Sequence, residues 1–118
     1  MLIEPPFYRL YHDQHCLVKY PLALGYLSGC VIKNTDWSVQ TYNADFNAEK
    51  KRFAPEIDYV SGEGFKRYLS SLEDYSMPIW KEVKNSIEEY NPSVIGISAK
   101  TQNFISATIV ARIAKEIN

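Results

Sequence analysis

The run Val94-Ile95-Gly96-Ile97-Ser98 constrains the fold of this chain more than any other feature. Its apolar residues follow one another instead of alternating, so neither face of the segment is reserved for water. That pattern predicts a strand buried on both faces, the usual condition in a parallel sheet covered by helices. Two further runs read as strands. Leu2-Ile3-Glu4 is short and is stopped by Pro5-Pro6. Ser38 to Tyr42 leads into Asn43-Ala44-Asp45.

Helical patterns lie between and after these runs. Pro21 to Lys33 is apolar nearly all round, which predicts a buried helix with proline in its first turn. Phe65, Tyr68, Leu69 and Leu72 have helical spacing after Gly62-Glu63-Gly64. Trp80, Val83, Ile87 and Tyr90 form another stripe, with Ser76 near its start, Pro78 in its first turn and a stop at Asn91-Pro92. In the last segment Ile105, Ile109, Ile113 and Ile117 recur every four residues, with Thr101 or Asn103 as the candidate cap. Strands that alternate with helices imply parallel pairing through right-handed crossovers, hence the α/β class. The polar stretch from Asp45 to Tyr59, with Glu49-Lys50-Lys51-Arg52 inside it, reads as a solvated excursion.

Composition narrows the function classes. A chain of 118 residues supports one core and not two. An apolar fraction of 46% is enough to offset chain entropy, which argues against a disordered chain. Thirteen basic against fourteen acidic residues leave a net charge of −1, which disfavours a nucleic-acid partner. Two cysteines, Cys16 and Cys30, provide neither a zinc ligand set nor a disulfide framework nor an iron–sulfur centre. Reduced thiols and a cytoplasmic location are the expectation. No membrane partner is expected either. The start of the chain has neither a basic region nor a long apolar core, and Pro21 to Ile32 is roughly half the length of a bilayer span.

In an open parallel sheet, ligands bind beyond the carboxyl ends of the strands where the strand order reverses. Two loops border that place. The first, Pro5 to Tyr20, carries Phe7-Tyr8-Arg9-Leu10-Tyr11, which suits stacking on a large flat ligand with Arg9 as donor, or packing over the sheet edge. The second, Ser98-Ala99-Lys100-Thr101-Gln102, offers hydroxyls, an amide and main-chain N–H groups at a helix start, for a phosphate or heterocycle or for ordinary capping. Gly25 and Gly29 permit close approach of a strand or a ligand to the first helix. His12 and His15 are the only histidines, and Asp13 two residues before His15 could orient a metal-binding imidazole as easily as lie exposed in a loop. Asp45 occupies the place of a ribose-binding acid, yet no glycine fingerprint follows the first strand. A phosphate- or nucleotide-binding half-Rossmann enzyme is accordingly a weaker reading.

Four segments together resemble a known family. They are Leu2-Ile3-Glu4-Pro5-Pro6-Phe7, Tyr20-Pro21-Leu22-Ala23-Leu24-Gly25-Tyr26-Leu27, Tyr42-Asn43-Ala44-Asp45, and Pro92-Ser93-Val94-Ile95-Gly96-Ile97-Ser98 with Thr101 following. In this order they look like the N-terminal cobalamin-binding domain of cobalamin-dependent radical SAM enzymes, including the anaerobic magnesium-protoporphyrin monomethyl ester cyclase branch. The resemblance implies a Rossmann-like, flavodoxin-type fold of order 2-1-3-4-5, with the cofactor's nucleotide tail inserted near the first and third strands. It implies that Ser98, Ala99 and Thr101 border that tail, that Pro21, Leu22 and Gly25 line its pocket, and that Phe7, Tyr8, Arg9 and Tyr11 face the corrin.

Two departures qualify the resemblance. Asp13-Gln14-His15-Cys16-Leu17-Val18 matches half of the wider family's cobalt-ligand motif but has Val18 in place of glycine, so no ligand role passes to His15. The fourth and fifth strands and the radical SAM domain are not in the chain, so the resemblance implies an N-terminal part of a longer enzyme with sheet order 2-1-3. The iron–sulfur cluster and S-adenosylmethionine would belong to the remaining domains. The expected function is a cobalamin-binding module, non-catalytic by itself, in a methyl-transfer or cyclase enzyme; without the missing strands the chain alone is expected to hold cobalamin weakly and not to retain it. The alternative is a structural or dimerisation domain that keeps the fold without the cofactor. In either case the third strand would be an open apolar edge, which invites self-association.

Overall fold

A computed structural model describes residues 1–52 and 62–117. Strand β1 (Leu2–Glu4) runs parallel to β3 (Thr41–Asn43) on one side and to β5 (Gly96–Ile97) on the other, giving the order β3-β1-β5. Leu2, Ile3 and Glu4 face Thr41, Tyr42 and Asn43, while Leu2 and Ile3 also face Gly96 and Ile97. This is a small three-stranded parallel sheet flanked by helices, with the parallel pairing that the alternation of elements anticipated and the order 2-1-3 that the resemblance implied. The second strand is shorter than its propensity suggested, starting three residues later and ending one later. Its place follows from the ladder, in which Leu2 N–H donates to Gln40 O at 2.8 Å and Ala44 N–H donates to Glu4 O at 3.0 Å.

The long first loop is not free of regular structure. It contains a one-turn helix α1 (Tyr8–Tyr11) and a two-residue strand β2 (His15–Cys16). Strand β2 pairs in parallel with β4 (Lys51–Arg52) and forms a second, minimal sheet. The reading of Asp45 to Tyr59 as a solvated excursion is thereby corrected over its described part. Asp45 is buried and Lys51–Arg52 are paired, because Leu17 N–H and Lys51 N–H find acceptors at Asp45 O and Gln14 O. The remainder of that stretch lies outside the described residues.

Four longer helices complete the fold: α2 (Leu22–Asn34), α3 (Gly62–Glu73), α4 (Pro78–Tyr90) and α5 (Phe104–Ile117). Helix α4 starts with Pro78 in its first turn and ends at Asn91, whose φ of 47° is left-handed and stops the helix before Pro92. The core gathers Ile3, Phe7 and Leu10 with Tyr68 and Leu72 of α3, Ile79, Trp80, Val83 and Ile87 of α4, and Ile109, Val110 and Ile113 of α5. Ser71 and Trp80 sit among these apolar side chains with their polar atoms bonded: Ser71 Oγ donates to main-chain oxygens and Trp80 Nε1 donates to Ser71 O at 3.1 Å. Among the described residues no helix is long and apolar enough to cross a membrane.

Two expectations about burial are corrected. Helix α2 is not a buried helix: it rests on β1 and β3 through Leu24, while Leu22, Tyr26, Leu27 and Ile32 are 51–80% exposed. An all-round apolar sequence shows which side chains shun water, not whether a neighbouring layer is present to cover them. Strand β5 is likewise half-buried, with Val94 exposed, because it ends the sheet rather than lying inside it.

Candidate functional site

The carboxyl ends of β1 and β3 and the loop after β5 open onto one crevice of about 370 Å³. Each element contributes what its last residues carry. Glu4 comes from the end of β1, Asn43 from the end of β3, and Lys100 and Gln102 from the turn after β5. Phe7 and Tyr8 form one wall. Leu17, Lys19 and Tyr20 with Pro21, Leu22 and Ala23, where α2 begins, complete the lining. The size is within the usual range for small-molecule sites, and apolar walls with a few polar groups are their usual lining.

Asp45 holds the first wall in place. Its Oδ1 accepts the main-chain N–H groups of Phe7 at 2.8 Å and Arg9 at 3.1 Å, so it caps α1 from 36 residues away in sequence. Burial pushes its carboxyl up from the usual range, and the N–H groups of Phe7, Arg9 and Tyr8 offset only part of that. The acid that the sequence placed beside a ribose is therefore engaged in building the crevice, with its side-chain oxygen already occupied.

Arg9 is committed elsewhere than to the crevice. Its side chain is fully buried, with Nη1 donating to Ala44 O at 3.1 Å and to Glu82 at 2.8 Å. Nη2 donates to Glu82 at 2.9 Å and to Asp13 at 2.8 Å, and Asp13 also meets Lys50 at 3.0 Å. Desolvation would lower the Arg9 pKa, but the hydrogen bonds and charges of Glu82 and Asp13 outweigh it and raise the value overall. Glu82 in turn is held below the usual carboxylate range, chiefly by its hydrogen bonds from Arg9. The guanidinium is a tie between α1 and α4, out of reach of any ligand at the rim.

The remaining sequence candidates divide between rim and core. Phe7, Tyr8, Pro21 and Leu22 do line the crevice. Tyr11 is partly buried against the core, stacked on Tyr68 with ring centroids 4.7 Å apart, and Phe7 meets Tyr8, Tyr11 and Tyr68 edge to face. The aromatic loop thus packs mainly on itself and on α3. Ser98 donates its main-chain N–H to Ile3 O, and its own carbonyl accepts from Asn103. Ala99 and Thr101 are exposed and stand outside the lining. Gly25 lies behind Tyr20: a Cβ at position 25 would come within 2.8 Å of the Tyr20 ring. Tyr20 also separates the crevice from a neighbouring apolar cleft of about 410 Å³ bounded by Val18, Thr41, Tyr42 and Phe46.

Glu4, Lys19, Asn43 and Lys100 had no motif to single them out as lining residues. Glu4 and Asn43 are legible only once their strands are known to end there. Lys100 Nζ reaches Glu4 Oε1 at 2.6 Å, across 96 residues of sequence. Asn103 Oδ1 accepts Lys100 N–H at 2.7 Å and so closes the short turn Thr101–Asn103 that precedes α5. No family model, curated protein or solved structure matches this chain.

Proposed function

We propose that this chain is a cobalamin-binding module, non-catalytic by itself, built on a truncated Rossmann-like sheet of the flavodoxin type. In the parent enzyme it would serve a cytoplasmic radical SAM methyl transferase or cyclase. The observation that supports the reading is the crevice over the carboxyl ends of β1 and β3 and the turn after β5, beside the β1–β5 boundary at which the strand order reverses. Its dimensions fit a slim heterocyclic arm. The aromatic residues of the first loop fit a broad macrocycle less well, since Phe7 is buried in the core, Tyr11 packs against it, and only Tyr8 and Tyr20 join the wall without being buried.

When bound, the cofactor supplies cobalt-centred methyl or radical chemistry. The chain's own residues bind and orient. Tyr8, Tyr20 and Leu22 offer apolar contact, and Asn43 and Gln102 offer polar edges. Titration with hydroxocobalamin, followed by corrin absorbance, tests the reading. A saturable spectral change that Leu22→Trp weakens supports it; no change up to the solubility of the corrinoid overturns it. The exposed face of α2 and the open edge of β5 favour a second reading, a structural or dimerisation domain without cofactor. Self-association together with a silent titration would favour that one.

A further inference from the structure

We infer that the apolar cleft beside the outer edge of β3 is a second ligand site, and that it takes a flat apolar acid, a ring system carrying one carboxylate. The inference does not rest on what the crevice holds.

The cleft exists because two loops are fastened to the end of β3, and Asn43 does most of the fastening. Its Nδ2 donates to Lys19 O at 3.0 Å, its Oδ1 accepts Asp45 N–H at 3.1 Å, and its carbonyl accepts Phe46 N–H at 3.1 Å. Leu17 N–H donates to Asp45 O at 2.9 Å and joins the two loops to each other. The Tyr20 ring rests against the main chain of α2 at Gly25, with its hydroxyl 3.4 Å from Thr41 Oγ1. A hollow of about 410 Å³ is therefore built before any ligand arrives, and its size suits a small molecule.

The lining indicates the body of the ligand. Val18, Tyr20 and Phe46 border the hollow and are 45–56% exposed. Large apolar side chains gathered around one concavity and left in water gain by covering, and two of the three present ring faces for stacking. An extended peptide is a poorer occupant. By alternation along β3, only Thr41 and Asn43 turn main-chain groups to the open edge, and the Asn43 carbonyl is already taken by Phe46. Too little is left for a ladder of main-chain hydrogen bonds.

The charges indicate the acid. Among the described residues that line the cleft, Lys19 alone is charged. It is exposed and has no ion-pair partner among the described residues. The two carboxylates at this end of the sheet, Glu4 and Asp45, line the crevice and not the cleft. Both are engaged there, Glu4 with Lys100 at 2.6 Å and Asp45 with the main-chain N–H groups of Phe7 and Arg9. Lys19 borders both hollows, but only in the cleft does it do so without an acid in the same lining. A carboxylate on the ligand supplies the missing charge.

Naphthoate and its neutral counterpart naphthalenemethanol test this, with amide shifts of the isotope-labelled chain read by NMR. Both should shift Val18, Thr41 and Phe46 in a saturable way, and the acid should bind roughly 3-fold tighter, the scale of one contact to an exposed cation. Lys19→Met should abolish that ratio, and Val18→Asp should weaken both compounds. Each of these positions is exposed, so the melting temperature should hold. The inference is overturned by the absence of saturable shifts, by equal binding of the two compounds, or by a ratio that survives Lys19→Met. Binding that Val18→Asp leaves intact overturns it too, as do shifts centred on Glu4, Tyr8 and Gln102, which would place the ligand in the crevice instead.

Discussion

Arg9 is the residue on which most of the first loop depends. Its guanidinium is fully buried, and it ties Asp13, Ala44 and Glu82 to one another. Removing one member of such a group leaves a charge without its partner, which is costlier than never having had the pair. Glu82→Gln should therefore destabilise the fold by about 1–3 kcal/mol, less than the roughly 3–5 kcal/mol of a fully buried pair because Glu82 itself is partly exposed. Urea denaturation at pH 7 measures this. The sign of the pH effect follows from the lowered pKa of Glu82. Its contribution is present above the unfolded carboxylate range and is lost as pH falls through the still lower folded value, so wild type and Glu82→Gln should converge in stability in acid. Asp45 behaves in the opposite sense: burial raises its pKa, so its charge is a cost near neutrality that disappears on acidification. Its main-chain acceptor role dominates nonetheless. Asp45→Ala should lose about 1–2 kcal/mol through the orphaned N–H groups of Phe7 and Arg9, and circular dichroism melts would register it.

At the scale of elements, the two flanking layers are unequal. Helix α4 buries Ile79, Trp80, Val83 and Ile87, whereas α2 buries Leu24 alone. Local opening should follow that inequality, because protection tracks buried contacts. Amides of α2 are expected to exchange with deuterium well before those of α4, and equal protection would contradict the assignment of α2 as the weakly held wall. The same inequality marks what a sequence can and cannot reveal. The stripe of Trp80, Val83 and Ile87, with Pro78 at its start and Asn91 at its end, carried its own boundaries, and α4 formed where they indicated. Leu2–Glu4 was legible because Pro5 and Pro6 end it. Strands β2 and β4 were not, since His15–Cys16 and Lys51–Arg52 are short and polar and exist only by pairing with each other. The exposure of α2 was beyond reach for a related reason, that cover is supplied by other elements. In the crevice, Phe7 and Tyr8 were readable from the aromatic loop that carries them, while Pro21 and Leu22 were pointed to only by the family resemblance. The Asp45 cap, the Arg9–Glu82 tie and the Glu4–Lys100 pair join residues far apart in the chain and carry no local pattern.

The whole molecule has a sheet that stops abruptly at β5. Gly96 and Ser98 donate their N–H groups to Met1 O and Ile3 O, both at 2.9 Å. By alternation, the main-chain groups of Ile95 and Ile97 point to the open side. Charges or prolines at edges are the usual protection, and neither a charged residue nor a proline stands between Ser93 and Ala99 to guard this one. The mass observed in sedimentation equilibrium should therefore rise with concentration, and Val94→Lys, at an exposed position on the strand's approach, should suppress the rise. A single monomer mass across the concentration range would refute the pairing.

The bare α-carbon at position 25 acts on the binding cleft from behind. Because the Tyr20 phenol leans into the space that a methyl group would need, Gly25→Ala would force that ring toward one of the two hollows it divides. One hydrogen atom thus sets the thickness of a partition, and the relative widths of two neighbouring chambers become adjustable by a change that touches neither of them directly.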